Sequence, residues 1–292
     1  MANTIVKTPI VYYGGKTSII NHLLELVPLH EVYTETFFGG GTLFFAKDPV
    51  KNETINDRLN VVINFYRCLK LHYKPLKKLI DATLISRTIH YEALRMIQKF
   101  QRVYGNDLAC LGQRKKIELA WVFWVCTNFA YSNKIGGGYK YSNHMSVSVP
   151  DTLAKRKEQF TEALSERLQH AYIENQDAIK ILQSRNVDKA FHYIDPPYPN
   201  ADQGHYSGYG WDEYESLLKF LATECKGKFM LSSYNSEMLE GYSQIYDWYK
   251  REITHKISGS KESNFSKNRW HKTEVIVTNY SSPCLTLKLF EV

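Results

Sequence analysis

A short strand pattern that leads into three consecutive glycines and then into a helical pattern is the feature that most constrains the fold of this chain. Residues 31–35 are typical of a strand, residues 37–42 of a glycine-rich turn and residues 43–46 of the start of a helix. A second strand is predicted at 53–56, and apolar residues recur at helical spacing over 59–71. This alternation predicts an α/β domain.

The last third of the chain resumes the alternation. The predicted elements are strands at 171–174, 190–194 and 228–232, a helix over 212–224 with an acidic first turn, and a closing β-hairpin from 273–280 and 285–290. These elements extend the α/β domain of the first 65 residues.

The middle of the chain has a different pattern. Residues 66–125 lack clear strands and are predicted to be helical, with a buried helix at 119–126. Residues 127–149 are rich in Gly, Ser, Asn and Tyr and are predicted to form a loop or a hairpin. We therefore expect a catalytic α/β domain from residues 1–65 and 166–292, interrupted by a mostly helical insertion at 66–165.

Positive charge is concentrated in this insertion. Residues 66–165 hold 17 Lys and Arg against 7 Asp and Glu, whereas the formal net charge of the whole chain is +7. A contiguous basic segment favours a polyanionic partner. The alternative is an ordinary set of solvated lysines on helices.

Other sequence features indicate a cytoplasmic protein without a metal site. The longest apolar run has eight residues, well short of the roughly 18 that a membrane span needs, and no secretion signal is recognised at the N-terminus. The five cysteines are odd in number and form no C-x-x-C pair. This pattern favours free thiols in a reducing compartment over a disulfide framework or a zinc site.

The segment Asp195-Pro196-Pro197-Tyr198 directly follows the predicted strand at 190–194. Its two prolines fix two φ angles and remove two N–H donors, so the backbone is stiff and its carbonyls are available. A carboxylate, a carbonyl and an aromatic ring at the carboxyl end of a strand lie where open α/β sheets bind ligands. Such acceptors suit the exocyclic amino group of a flat base, with the base stacked on Tyr198. An ordinary turn is the alternative.

The glycine turn is a second candidate site. Gly39 and Gly41 allow a ligand to approach the backbone closely, and Asp57 at the end of the next strand can accept ribose hydroxyls. The turn lacks the G-x-G-x-x-G dinucleotide spacing, so a turn without a ligand is the alternative. The Gly-Lys-Thr at 15–17 is not a phosphate loop, because position 10 is Ile where that loop needs Gly.

Taken in order, these motifs resemble the Dam-like, alpha-group family of DNA N6-adenine methyltransferases over nearly the whole chain. The family's aromatic-x-Gly-Gly-Lys element is matched by Tyr12, Gly14, Gly15 and Lys16, and its Glu-Pro-Phe-x-Gly-x-Gly element by Glu35, Phe37, Gly39 and Gly41, with Thr36 in place of proline. Asn56-Asp57, the Asp-Pro-Pro-Tyr at 195–198 and Leu231-Ser-Ser-Tyr-Asn235 follow in the family's order. The ordered set is more specific than Asp-Pro-Pro-Tyr, which other amino methyltransferases share.

The resemblance implies a Rossmann-like, S-adenosylmethionine-dependent methyltransferase fold, with a mixed sheet and a mainly helical DNA-recognition insertion. It implies S-adenosylmethionine as methyl donor, S-adenosylhomocysteine as product and no metal. The implied cofactor-binding residues are Tyr12, Lys16, Phe38, Gly39, Gly41, Asp57, Asp177 and Asp195. A helix N-cap is the alternative for Asp177.

The implied reaction is methyl transfer to the N6 amino group of an adenine flipped out of double-stranded DNA, at a cost of roughly a few kcal/mol. Asp195 and the Pro196 carbonyl would accept the two amino hydrogens while Tyr198 stacks on the base. The transfer would be a direct displacement that depends on alignment. Cytosine N4 methylation, methylation of RNA or protein, and a catalytically silent DNA-binding regulator are the alternatives.

The predicted DNA contacts lie in two segments. Residues 128–142 resemble the family's recognition hairpin only loosely, and a second polar segment covers 258–272. The candidate contacts are Asn133, Lys134, Tyr139, Lys140 and Arg269. Surface loops without a DNA role are the alternative for both. Expected partners are double-stranded DNA and a cognate restriction endonuclease, for a monomer or weak dimer in the cytoplasm of a prokaryotic or phage-host cell.

Overall fold

The computed structural model of the chain describes residues 7–105, 107–142, 148–199, 209–256 and 271–281. Within these residues the strands are β1 (Val32–Glu35), β2 (Asn52–Asn56), β3 (Ala171–Glu174), β4 (Ala190–Ile194), β5 (Lys228–Ser233), β6 (Tyr249–Lys256) and β7 (His271–Thr278). The helices are α1 (Ile20–Leu26), α2 (Thr42–Ala46), α3 (Asn60–Leu71), α4 (Tyr73–Ala82), α5 (Arg87–Tyr104), α6 (Gln113–Asn128), α7 (Val149–Glu158), α8 (Glu162–Leu168), α9 (Ala178–Ser184), α10 (Trp211–Thr223) and α11 (Glu237–Ile245). Short 3-10 helices cover Lys16–Ser18 and Tyr131–Asn133.

The strands form a mixed sheet in the order β3-β2-β1-β4-β5-β7-β6. β4 is parallel to both β1 and β5, with Tyr193 opposite Glu35 on one side and Met230 on the other. All five residues of β4 are buried, which explains why the strand is apolar except for His192. The mixed α/β sheet expected from the sequence is confirmed.

The strand predicted at 273–280 is confirmed as β7, but its predicted pairing with 285–290 in a closing hairpin is wrong. β7 is antiparallel to β5 and to β6 and lies between them, so both of its edges are already paired. Sequence analysis misses β6 because Tyr249 and Ile253 are its main apolar residues, and its Lys, Arg, Glu and His residues obscure the alternation. Residues 285–290 lie outside the described part of the chain.

The chain folds into two compact units. Unit 1 comprises the described residues of Met1–Gly15, Phe38–Pro49 and Thr54–Asp177, and unit 2 those of Lys16–Phe37, Val50–Glu53 and Ala178–Val292. These bounds differ from those of the expected catalytic domain (1–65 and 166–292) and recognition domain (66–165). That functional division stays a prediction.

α6 is the buried helix of unit 1. From Leu119 to Asn128 every residue except Trp121 is buried, and the helix contacts α3, α4 and α5. Because other helices surround it, its sequence is apolar on nearly every side. The buried helix predicted at 119–126 is confirmed.

The core of unit 2 packs α10 against β5 and β7. Leu217, Leu221, Leu231 and Val277 belong to one buried cluster, and the ring centroid of Phe229 lies 5.0 Å from that of Trp248. This packing fixes the carboxyl ends of β4 and β5, where the candidate catalytic residues lie. Within the described ranges, no helix is long and apolar enough to cross a bilayer.

Candidate active site

Asp195 directly follows β4 in unit 2, as the sequence predicts. Its side chain is 19% exposed, and Lys16 Nζ lies 2.7 Å from Oδ2. The Tyr198 hydroxyl donates to Oδ1 at 2.9 Å. Burial raises the pKa of the Asp195 carboxyl, and the neighbouring Lys16 ammonium opposes this shift only in part. Since a carboxylate oxygen can accept more than one hydrogen bond, both oxygens keep capacity for a ligand.

Tyr198 is held through both its hydroxyl and its ring. The hydroxyl lies 2.9 Å from Ser232 Oγ on β5, and the ring meets Tyr234 edge-on with centroids 4.5 Å apart. Burial and the Asp195 carboxylate raise the pKa of Tyr198 well above its ordinary value, so the phenol stays a neutral donor. The contacts of Tyr198 therefore orient Asp195. The stacking of a base on this ring stays a prediction.

Lys16 is a buried cation placed between two carboxylates. It begins the 3-10 helix Lys16–Ser18, and its Nζ lies 3.8 Å from Oε2 of Glu274 on β7 as well as 2.7 Å from Asp195. Burial alone would lower the pKa of Lys16, but the two carboxylates outweigh burial and raise it. Lys16 is therefore charged, and it is predicted from the sequence as a site residue.

Glu274 belongs to this group, although sequence analysis misses it. Ser233 at the end of β5 is opposite Val275 in the antiparallel β7, so the preceding residue, Glu274, lies at the carboxyl end of β5. In the sequence, Glu274 is recognisable only as an acidic residue inside a strand of mostly β-branched residues. Its neighbours follow only from the register between β5 and β7. Ser232 and Tyr234 lie in the Leu231–Asn235 segment that carries part of the family resemblance.

The glycine turn lies in unit 1 and needs glycine at two positions. The φ angles of Gly39 and Gly41 are +45° and +63°, in the left-handed region. A Cβ on Gly39 would lie 2.9 Å from the Tyr12 ring, and a Cβ on Gly41 would overlap the Phe38 ring. Tyr12 and Phe38 are therefore packed onto this turn, and their predicted contact with the cofactor stays a prediction. The Tyr66 hydroxyl donates to Gly39 O at 2.8 Å and anchors the turn.

Asp57 is buried beside the same turn, at the end of β2. Its Oδ2 accepts the Gly39 N–H and its Oδ1 accepts the Leu59 N–H, both at 2.9 Å. Burial raises the pKa of Asp57 to about 6, although these two hydrogen bonds oppose the shift. The carboxylate fixes the glycine turn and, with its remaining lone pairs, can also accept a ribose hydroxyl.

Asp177 is exposed and directly precedes α9. The neighbouring Gln176 is tied to Asn56 at the end of β2, because its N–H donates to Oδ1 at 2.9 Å and its carbonyl accepts from Nδ2 at 3.1 Å. This location agrees with the helix N-cap alternative. The predicted contact of Asp177 with the cofactor stays a prediction.

Residues 129–140 of unit 1 form a short hairpin that begins after α6. The Tyr131 N–H donates to Gly138 O, and the Lys140 N–H donates to Phe129 O, each at 2.7 Å. Lys140 Nζ donates to Asn133 Oδ1 at 3.0 Å, and burial lowers the pKa of this lysine. Lys140 therefore braces the hairpin from within.

The outer side of this hairpin contacts two other segments of unit 1. Lys134 Nζ lies 5.8 Å from the centroid of the Tyr13 ring, and the Arg87 guanidinium of α5 lies 5.8 Å from that of Tyr139. The DNA contacts predicted for this hairpin stay predictions. Arg269, with residues 258–270 of the second predicted segment, lies outside the described residues.

A cavity of about 510 Å³ lies elsewhere in unit 1, lined by residues of α3 and α6 and by the 107–109 segment. Asn175 also lines it and donates from Nδ2 to Asp57 O at 2.7 Å. The lining contains none of the residues predicted to bind the cofactor or DNA. The cavity therefore lies next to the Asp57 backbone, although no candidate residue lines it.

Comparisons with known proteins assign the chain to a family. The sequence model of D12 class N6 adenine-specific DNA methyltransferases matches residues 12–262. Type II methyltransferase M1.LlaDCHI of Lactococcus lactis subsp. cremoris is 28% identical, over 92% of this chain and 94% of that protein. Modification methylase StsI of Streptococcus sanguinis is 22% identical over 97% of this chain. Type II methyltransferase M.FokI of Planomicrobium okeanokoites is 23% identical over 96% of this chain. In both cases the match covers 44% of the longer relative. The match of the family sequence model over most of the chain shows that this protein belongs to the D12 class of N6 adenine-specific DNA methyltransferases.

Proposed function

We propose that Asp195, Pro196 and Tyr198 are the catalytic residues of this site-specific N6-adenine DNA methyltransferase. The observation that carries the proposal is the Asp195 carboxylate at the end of β4, held by Lys16 and Tyr198 with acceptor capacity left on both oxygens. Asp195 accepts one hydrogen of the adenine amino group, and the Pro196 carbonyl accepts the other. These hydrogen bonds draw the N6 lone pair out of conjugation with the ring and make the nitrogen a better nucleophile.

The target nitrogen is hidden inside duplex DNA, so the base is extruded before it reaches Asp195, at a cost of roughly a few kcal/mol. Tyr198 supports the reaction by fixing the carboxylate, and its predicted stacking on the extruded base is part of the same proposal. Holding the amino group in one orientation contributes a proximity effect.

Methyltransferases of this family take the methyl group from S-adenosylmethionine, and the residues of the glycine turn fit this donor. A ribose diol needs a hydrogen-bond acceptor, which Asp57 supplies, and the left-handed φ angles of Gly39 and Gly41 set the path of the turn beside it. We infer that Asp57 holds the ribose and that Tyr12 and Phe38 enclose the donor; when bound, the donor supplies an activated methyl group. Lys16, Asp177 and Asp195 complete the proposed contacts, and S-adenosylhomocysteine is the product.

The basic side of unit 1 is the proposed DNA-binding surface. Along α5 the exposed cations Arg87, Arg95, Lys99 and Arg102 fall within roughly a third of the helix circumference. His90 of the same helix lies 3.0 Å through Nε2 from Gly137 O of the hairpin. We infer that α5 and the hairpin contact double-stranded DNA together, with Asn133, Lys134, Tyr139 and Lys140 at the hairpin.

We also propose that the enzyme modifies DNA in the cytoplasm as the partner of a restriction endonuclease, because its relatives are named type II methyltransferases and modification methylases. The proposed assembly is a monomer or weak dimer. Sequencing of modified bases in cells that express the protein identifies the methylated site. Sedimentation of the purified protein with and without DNA measures the assembly.

The catalytic proposal is tested with Asp195→Ala and Asp195→Asn. Both variants should lose transfer of labelled methyl groups from S-adenosylmethionine to DNA, because the carboxylate acceptor is gone, while affinity for DNA in a gel-shift assay is retained. Asp212→Asn, which changes an exposed aspartate at the start of α10, is the matched control and should keep full activity. Near-normal turnover by either Asp195 variant would contradict the proposal.

A further inference from the structure

Glu274 gives the catalytic group a second negative charge. Its side chain is buried, with 3% of its surface exposed, and its Oε2 lies 3.8 Å from Lys16 Nζ. The same ammonium lies 2.7 Å from Asp195 Oδ2. When all three groups are ionised, one buried cation faces two carboxylates, so the group carries one surplus negative charge. The ion pair between Lys16 and Asp195 would be enough to fix Asp195, so it does not explain why Glu274 is also present.

The reaction gives this surplus charge a use, on the condition that Asp195 is the acceptor proposed above. N6 uses its lone pair to bind the methyl carbon, while the electron pair of the broken carbon–sulfur bond stays on sulfur. N6 then carries an excess proton, which it gives to an oxygen of Asp195. Asp195 becomes neutral at that moment and no longer compensates the charge of Lys16. A buried ammonium without a counterion is strongly disfavoured.

We propose that Glu274 is a positioning residue that compensates Lys16 while Asp195 accepts the proton from N6. With Glu274 present, proton transfer to Asp195 leaves the buried pair of Lys16 and Glu274, which is electrically neutral. Without it, Asp195 would be the counterion that Lys16 requires, and it would be a weaker proton acceptor. Glu274 therefore acts through Lys16 and does not touch the base.

The other titratable groups around Asp195 do not replace this function. Among the residues that the structure describes, the groups that face it are Lys16 from the 3-10 helix, Tyr193 from β4, Tyr198 from its own segment, and Glu274 from β7. Burial raises the pKa of both tyrosines well above the ordinary value, so neither carries a negative charge. Beyond the effect of burial, the Glu274 carboxylate raises the pKa of Asp195 and the Lys16 ammonium lowers it.

The test is Glu274→Gln, which removes the charge and keeps the size of the side chain. Its single-turnover methylation rate is measured as a function of pH on DNA that contains the methylated site. Removing a neighbouring negative charge lowers the pKa of Asp195, so the acid limb of the profile should shift to lower pH, and the maximal rate should fall roughly tenfold. Glu252→Gln on the adjacent β6, where the side chain is exposed, is the matched control and should leave the profile unchanged.

A second readout needs neither donor nor DNA. Infrared titration of the protein, with Asp195→Asn as the reference that identifies the Asp195 band, should show the carboxyl of Asp195 ionising at lower pH in Glu274→Gln than in the unmodified protein. Glu274→Asp keeps the charge at a greater distance from Lys16 and should give a smaller shift in the same direction. If the Gln variant does not fold, Glu274→Asp replaces it as the test of the shift in the Asp195 titration.

The outcomes separate the two proposals. A folded Glu274→Gln protein with an unshifted acid limb and an unshifted Asp195 titration would overturn the inference and leave Glu274 as a structural residue. If Asp195→Asn keeps its turnover, the assignment of Asp195 itself has failed. A shifted titration in Glu274→Gln, together with an inactive Asp195→Asn, supports both.

Discussion

The hydroxyl of Tyr198 donates to Oδ1 of Asp195 at 2.9 Å, within one proline-stiffened segment. The same hydroxyl lies 2.9 Å from Ser232 Oγ at the end of β5. The carboxylate is thereby linked to two neighbouring parallel strands, β4 through the chain and β5 through the phenol. In a buried site this linkage fixes the direction of the acceptor lone pairs before a base arrives.

Tyr198→Phe should lower kcat by about tenfold, which corresponds to about 1.4 kcal/mol. The change removes the hydrogen bond to Asp195 and keeps the ring against Tyr234, so the carboxylate loses one of two fixed partners. Steady-state methylation of DNA measures the loss, and Tyr249→Phe, at an exposed position on β6, is the control. A kcat equal to that of the control would show that the phenol does not orient Asp195.

Asp57 should make the protein less stable as pH rises. Its folded-state pKa is about 6 against an ordinary value of 3.8. Between these two pH values the carboxyl is ionised in the unfolded chain but still protonated in the folded protein. The free energy of unfolding should therefore fall by about 3 kcal/mol across that window and then stay level above it. Urea unfolding at several pH values, compared with Asp57→Asn, isolates this contribution.

The matched control for that experiment is Asp48→Asn, which removes an exposed carboxylate of the same unit. The pH slope should disappear in Asp57→Asn and persist in the control. A slope that is the same in all three proteins would show that Asp57 is not a desolvated carboxyl.

Most strands of the sheet can be predicted from the sequence, because a buried strand requires apolar residues. β4 is buried on both faces and is apolar except for His192, whereas β6 is rich in charged residues and escapes prediction. The family and its reaction, transfer of a methyl group to adenine N6, are also predicted, because the motifs occur in the family's order; the match over residues 12–262 confirms both.

The candidate site is predicted only as far as its residues lie in local motifs. Asp195 and Tyr198 come from one tetrapeptide, and Lys16 from the Gly-Gly-Lys element. Glu274 has no motif, and its place depends on the antiparallel register that sets Val275 opposite Ser233. Long-range register of this kind is not encoded in any short stretch of sequence.

Gly41→Ala should destabilise the protein by about 3 kcal/mol. The left-handed φ of +63° costs any L residue roughly 1–2 kcal/mol, and the overlap with the Phe38 ring adds about 1–3 kcal/mol of overpacking. Gly14→Ala separates the two effects, because Gly14 also has a positive φ (+77°), in the turn closed by the Gly15 N–H and Tyr12 O, and an added Cβ would meet nothing within 4 Å. Equal losses in urea unfolding for the two variants would show that the Phe38 ring simply moves aside.

The double variant Arg95→Ala/Lys99→Ala should weaken DNA binding about equally for specific and non-specific sequences. Both residues are exposed on α5, the helix that supports the hairpin through His90 and Gly137. If each contacts one phosphate, the slope of log K against log salt should become shallower by about 2. Lys219→Ala/Lys226→Ala, which removes two exposed lysines of unit 2, is the matched control. Since phosphate contacts carry little sequence information, the preference for the methylated site should survive, and an unchanged salt slope would exclude α5 from the DNA-binding surface.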